Sequence, residues 1–158
     1  MSRQRQQTLR ESLSDEEFQR EMGLASHLRA ESLRQRLLSL PQVQEVAFSA
    51  LPAMRPRESM VGITMDPSLA TPPRPCPVIP KFVSPNFFSV MGIPLLEGRS
   101  FQRSDLPGTQ PVMILSRQAV LYCAGGANVL DSDVRFGLAR LGPSVRVVGV
   151  VGDVNYDG

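Results

Sequence analysis

At 158 residues, with a formal net charge of +2, 42% hydrophobic and 20% charged residues, the chain has the composition of a folded protein with room for one domain or two small lobes, not that of a disordered segment. The charge is too small to call for a nucleic-acid partner, and the arginine-rich N-terminal region reads as a solvated helix face because no aromatics are interleaved for base stacking. No apolar run approaches the roughly 18 residues that a membrane-crossing helix needs, so no membrane span is expected within the sequence.

Residues 1–13 are polar and glutamine-rich and read as an N-terminal extension. Residues 1–20 carry basic side chains without the apolar stretch of a signal peptide, so the expectation is that any passage out of the cytoplasm depends on a segment outside this sequence. From 14 to 40 the signals are helical: Ser14 and Glu17 form a capping box, Ala30, Leu33, Leu37 and Leu40 recur at spacings of three and four, and Pro41 stops the helix. Val46, Phe48 and Ala50 alternate with Glu45, Ala47 and Ser49, which predicts a half-buried strand over 43–50 that packs with the helix. A short strand is expected at 60–65. Residues 66–77 hold five of the fourteen prolines and read as an extended loop.

Beyond the loop, 78–83 reads as a strand. Ser84 is expected to cap a short helix with Pro85 at its first position, and Gly92 to end it. Extended chain resumes at 94–96 and turns at Gly98. The run 112–115 has the look of a buried strand, with Ser116 as cap of a helix to about Cys123 and Gly125–Gly126 as its exit. Residues 134–138 suggest a further strand. The strongest strand signal is 145–151, almost wholly β-branched, and its continuity implies burial on both faces, Val148 included. Strands interleaved with short helices predict an α+β fold with mixed sheet or sheets. The chain is then one compact domain over 14–158, or two small lobes, one porter-like and one smaller and β-rich, with bounds at 14–65 and 78–158 and the loop 66–77 joining them.

Few residues could carry chemistry. The one histidine, His27, lies in the expected helix without a carboxylate or thiol at ligand spacing, which removes most histidine-dependent templates. Serine and cysteine nucleophiles lack a base. Cys76 and Cys123 lie far apart and read as two unpaired small apolar residues, with a disulfide as the alternative that an oxidising compartment would permit. Asp153, Asn155, Asp157 and Gly158 match the opening of a calcium loop, but a β-run precedes them where such a loop follows a helix, and no closing glutamate is present. They read as a turn. Gly149 and Gly152 lack the third glycine and the helix of a dinucleotide-binding turn, and are expected to serve close packing or a bulge. No catalytic, cofactor-binding or metal-ligating residue is assigned.

Residues 83–101, Val-Ser-Pro-Asn-Phe-Phe-Ser-Val-Met-Gly-Ile-Pro-Leu-Leu-Glu-Gly-Arg-Ser-Phe, resemble the V-S-P-x-[FY]-F-x-x-[ML]-G-I-P-L-L-x-G-R-x-F signature of the MacB-like periplasmic core domain found in FtsX-like ABC-transporter permeases. Residues 37–52 resemble the family's L-x-x-L-P-G-V-x-x-V-A passage, with Gln42 where glycine is usual. Residues 145–158 resemble its closing V-V-G-V-V-G-D-V-x-Y-D-G. Residues 111–137 are similar only loosely: Ser116 and Arg117 replace the usual Asn-Glu, 124–127 lack Pro-Gly-Glu, and Asp131-Ser132-Asp133 replaces Gly-Lys-Arg. The resemblance implies a non-catalytic domain on the periplasmic side of the bacterial inner membrane. It would work in mechanotransmission and export beside the transmembrane part of a permease, its cytoplasmic ATPase and a periplasmic adaptor or substrate protein. The alternative implied is a free-standing soluble binding protein derived from such a domain.

Overall fold

The computed structural model describes residues 28–50, 61–65, 76–102, 104–105, 109–136 and 144–153. The chain divides into two compact units, one of Met1–Val46 with Leu106–Thr109 and one of Ala47–Asp105 with Gln110–Gly158. The first contains helix α1, residues 28–38, which closes through Leu40 N–H donating to Leu37 O at 3.1 Å before Pro41. Its exposed face is laced by Glu31, which accepts from Arg34 Nη1 at 3.3 Å and from Gln35 Nε2 at 3.0 Å, the i,i+3 and i,i+4 pairings that support a solvated helix. Ala30 and Leu37 are half-buried, as the spacing predicts, whereas Leu33 and Leu40 remain about half exposed. The expected start of this helix, with Ser14, Glu17 and His27, lies outside the described residues.

The second unit carries the sheets. Its strands are β1 (Ser49–Ala50), β2 (Val61–Thr64), β3 (Cys76–Val78), β4 (Phe82–Val83), β5 (Leu95–Gly98), β6 (Val112–Ser116), β7 (Asp133–Phe136) and β8 (Ser144–Val151), with helices α2 (Phe87–Val90) and α3 (Arg117–Ala124) between them. Six strands form one mixed sheet, ordered β3-β2-β7-β8-β5, with β6 parallel to β8 and the other pairs antiparallel. β8 is its axis: β6 runs along one edge, while β7 and then β5 share the other. The α+β expectation and the burial of Val148 both hold, and every residue of β8 from Val147 on is buried.

β8 carries a bulge opposite β6, where Met113 faces Val147 and Ile114 faces Gly149. The extra residue shifts the inside-outside parity of the strand. Val147 and Val150, three apart, therefore both join the core with Ile63, Met65, Cys76, Leu115, Val120, Ala124, Val129 and Val134. Val148 and Val151 are buried as well, outside that cluster.

Two expectations are corrected. The strand over 43–50 shrinks to Ser49–Ala50, which pairs β4 in a separate two-stranded ribbon. Prolines bound β4 on both sides at Pro80 and Pro85, and a residue without N–H cannot extend a ladder. The same Pro80 breaks the strand expected at 78–83 into β3 and β4. β2 pairs directly with β3 and β7, so strands on either side of the proline-rich stretch enter one sheet.

Candidate functional site

The signature segment builds a turn, a short helix and an edge strand around two exchanged glycine contacts. Ser84 does not cap the helix as the sequence suggests. Its hydroxyl accepts from Phe48 N–H and donates to Asn86 Oδ1, each at 2.9 Å, and its own N–H donates to Phe48 O at 2.9 Å. Serine here fastens the chain entering β1 to the turn that follows β4. Helix α2 then begins at Phe87 with Asn86 as its N-terminal flank and no side-chain cap, and Gly92, at φ +65°, ends it. The aromatic pair is used in series. Phe87 is buried and meets Phe88 edge-to-face at 5.7 Å, and Phe88 stacks on Phe101 at 6.0 Å, geometries that aromatic rings favour.

Gly98 faces Gly149 across the β5–β8 pairing. A Cβ on Gly98 would strike Val148 O and approach Gly149 Cα to 2.9 Å, and Gly98 also sits at φ +73°. A Cβ on Gly149 would strike Arg99 O. The two strands thus approach too closely for any side chain at either position, and Arg99 N–H seals the approach by donating to Val148 O at 2.8 Å. The reading of Gly149 as a packing residue is met.

Beyond the glycine turn, Arg99 grips Asp105 with a bidentate fork, Nη1 to Oδ2 at 2.8 Å and Nη2 to Oδ1 at 3.0 Å. Asp105 Oδ2 also accepts from Gln102 N–H at 2.7 Å. The guanidinium hydrogen bonds hold the Asp105 carboxyl below its ordinary range, and the same bonds push the Arg99 pKa up. This loop clasp was not legible in the sequence. An arginine next to a positive-φ glycine, followed within one loop by an aspartate, is the only signal it leaves.

Helix α3 is held at both ends. At its start the Ser116 hydroxyl accepts from Ala119 N–H at 3.2 Å, as expected of the cap, and Asp153 Oδ1 accepts from Gln118 N–H at 2.7 Å. Gly125, left-handed at φ 60°, closes the helix with its N–H on Val120 O. Near that end Cys123 is joined to Cys76 of β3 in a disulfide with Cα atoms 5.5 Å apart, which corrects the reading of two unpaired cysteines. Spacing alone could not show it, because the pairing depends on β3 lying beside α3. Of the residues in the apparent calcium loop only Asp153 is described, and its carboxylate is engaged at the helix. Among the described residues no group of three potential ligands gathers at one point.

Between β5, α3 and the loop after α3 lies an open cleft of about 310 Å³. Val120, Val129 and Val150 form its floor, and Glu97 and Arg117 stand on its rim. Leu121 and Tyr122, 57% and 73% exposed, carry the apolar surface of α3 outward. The arrangement offers shape and packing surface. It brings together no nucleophile and base.

These features define an α+β domain of the kind found on the outer side of transporter permeases. The profile of the MacB-like periplasmic core domain matches residues 6–158, and the chain belongs to that family. Its fold is similar to the periplasmic region of MacB from Actinobacillus actinomycetemcomitans, at 19% identity and TM-score 0.53 over 78% of this chain and 50% of that one. It is similar also to the extracellular domain of the noncanonic ABC-type transporter YknZ from Gram-positive bacteria, at 18% identity and TM-score 0.57, covering 78% and 57%. A domain of a permease protein from Porphyromonas gingivalis aligns at 13% identity and TM-score 0.55, covering 79% and 51%. The chain therefore spans about half the length of these solved domains. No curated protein sequence matches it. No helix among the described residues is long and apolar enough to cross a membrane.

Proposed function

We propose that residues 14–158 form the extracytoplasmic core domain of an ABC-transporter permease, that residues 1–13 extend it, and that the domain does no chemistry of its own. It relays ATP-driven movement of the permease's transmembrane part, powered by a cytoplasmic ATPase, to an adaptor or substrate protein outside the membrane. The observation that carries this reading is the family match across residues 6–158. Two features of the fold support it. A sheet locked by side-chain-free crossings at Gly98 and Gly149 moves as a body, and a disulfide suits an oxidising compartment.

The test uses the permease that carries this domain, reconstituted in lipid with its ATPase. A fluorophore introduced at the exposed Tyr122 through an unnatural amino acid reports its distance to headgroup-labelled lipid by energy transfer. The expected result is a transfer efficiency that differs between nucleotide-free and ATP-bound states. Identical efficiency in both states would overturn the relay.

A further inference from the structure

We propose that the Cys76–Cys123 disulfide is a one-way lock on α3, closing when the folded chain meets an oxidant and then resisting reduction until the core opens. Cys76 opens β3, the terminal strand of the sheet order, and is 7% exposed within the core cluster. Cys123 sits one residue before the end of α3 and is half-buried. The opposite end of the helix is already held by Ser116 and by Asp153 from beyond β8. The bond therefore ties the C-terminal end of α3 down onto β3, with β2 and β7 between that strand and β8.

Closure takes two thiols to one disulfide with release of two protons and two electrons, which reduce the disulfide of a thiol oxidant to its two thiols. Reopening needs a thiolate to attack one sulfur and expel the other. Cys123 is the accessible target, so Cys76 must leave as a thiolate among Ile63, Met65, Leu115 and Val120. An apolar surrounding raises a thiol's pKa and makes it a poor leaving group. Attack on Cys76 would instead require the reagent to enter the core. The first route stays slow until α3 lifts from the sheet and lets water reach the departing sulfur, and the second is closed until then, so both are governed by an opening event whose frequency the rest of the fold controls.

The lock stands on this geometry alone, and only the compartment in which it closes rests on the extracytoplasmic reading. The purified chain is treated with dithiothreitol in buffer and in unfolding urea, and free thiols are counted by alkylation and mass. Reduction should be roughly a hundredfold slower in buffer, since it requires opening. The reduced protein should melt lower by on the order of 10 °C, and α3 amides should lose hydrogen-exchange protection. The double variant Cys76→Ser, Cys123→Ser should melt at the reduced protein's temperature with or without reductant. Reduction equally fast in both solvents, or one melting temperature for both redox forms, would overturn the lock. Thiols found free in intact cells, for a protein that locks normally when purified and oxidised, would overturn the compartment and leave the lock in place.

Discussion

Asp105 accepts three hydrogen bonds in its ionised form, two from the Arg99 guanidinium and one from Gln102 N–H, and each is lost or weakened when the carboxyl takes a proton. Its folded pKa lies below the ordinary carboxylate value, so the folded state binds that proton less readily than the unfolded chain. The stabilisation is then fully present above the unfolded value, about 3.9, and drains away as pH falls through the folded one. Urea unfolding of wild type and Asp105→Asn should show a stability gap that is constant near neutrality and narrows below about pH 4. A gap unchanged at pH 3 would mean that the clasp contributes nothing through its charge. At this scale the sequence was partly readable. Gly149, inside a β-branched run, announced a close approach, but the backbone it approaches, that of Arg99, needed the strands in register, and so did the approach to Val148 of Gly98, which the sequence marks only as a turn.

Among the elements, α3 separates what a local pattern can show from what it cannot. Ser116 as cap and Gly125 as exit follow from residues within one turn of the helix, and both are found there. Asp153 reaches Gln118 from 35 residues away, and no window of sequence contains both. The same limit explains Ser84, whose hydroxyl was read as a local cap and is spent on Phe48, 36 residues earlier. Because Asp153 is occupied at the helix terminus, where its negative charge also meets the positive end of the helix dipole, Asp153→Ala should cost about 1 kcal/mol, the usual cost of losing a capping side chain. Millimolar calcium should leave the melting temperature of the wild type unchanged, because a ligand stabilises in proportion to its occupancy of the native state. A calcium-dependent rise abolished by Asp153→Ala would convert the cap into a ligand and reverse this assignment.

For the molecule as a whole, strand existence was legible because β-branched runs and proline punctuation are local, while strand order was not, because parallel pairing of β6 to β8 and the meeting of β3 with α3 are made by chain returning from far away. β8 is where these long-range choices converge, and Val148 sits at its bulge with 8% of its surface exposed. Val148→Asp would place a carboxylate there. Its backbone oxygen is already committed to Arg99 N–H, and buried Val147 and Gly149 flank it on the strand, so the new charge would be desolvated without a partner. The expected cost is several kcal/mol, against a total stability on the order of 5–15 kcal/mol for a domain. Val148→Ala removes only apolar contact and should cost about 1–2 kcal/mol at ~0.8 kcal/mol per buried carbon. The two losses differ in kind as well as size. A buried aspartate has its folded pKa raised, so Val148→Asp should recover part of its deficit relative to Val148→Ala as pH is lowered and the carboxyl is neutralised. Urea unfolding of both variants at neutral and mildly acidic pH makes the comparison. An aspartate variant as stable as wild type, or one whose deficit does not respond to pH, would show that Val148 is not sealed inside the sheet.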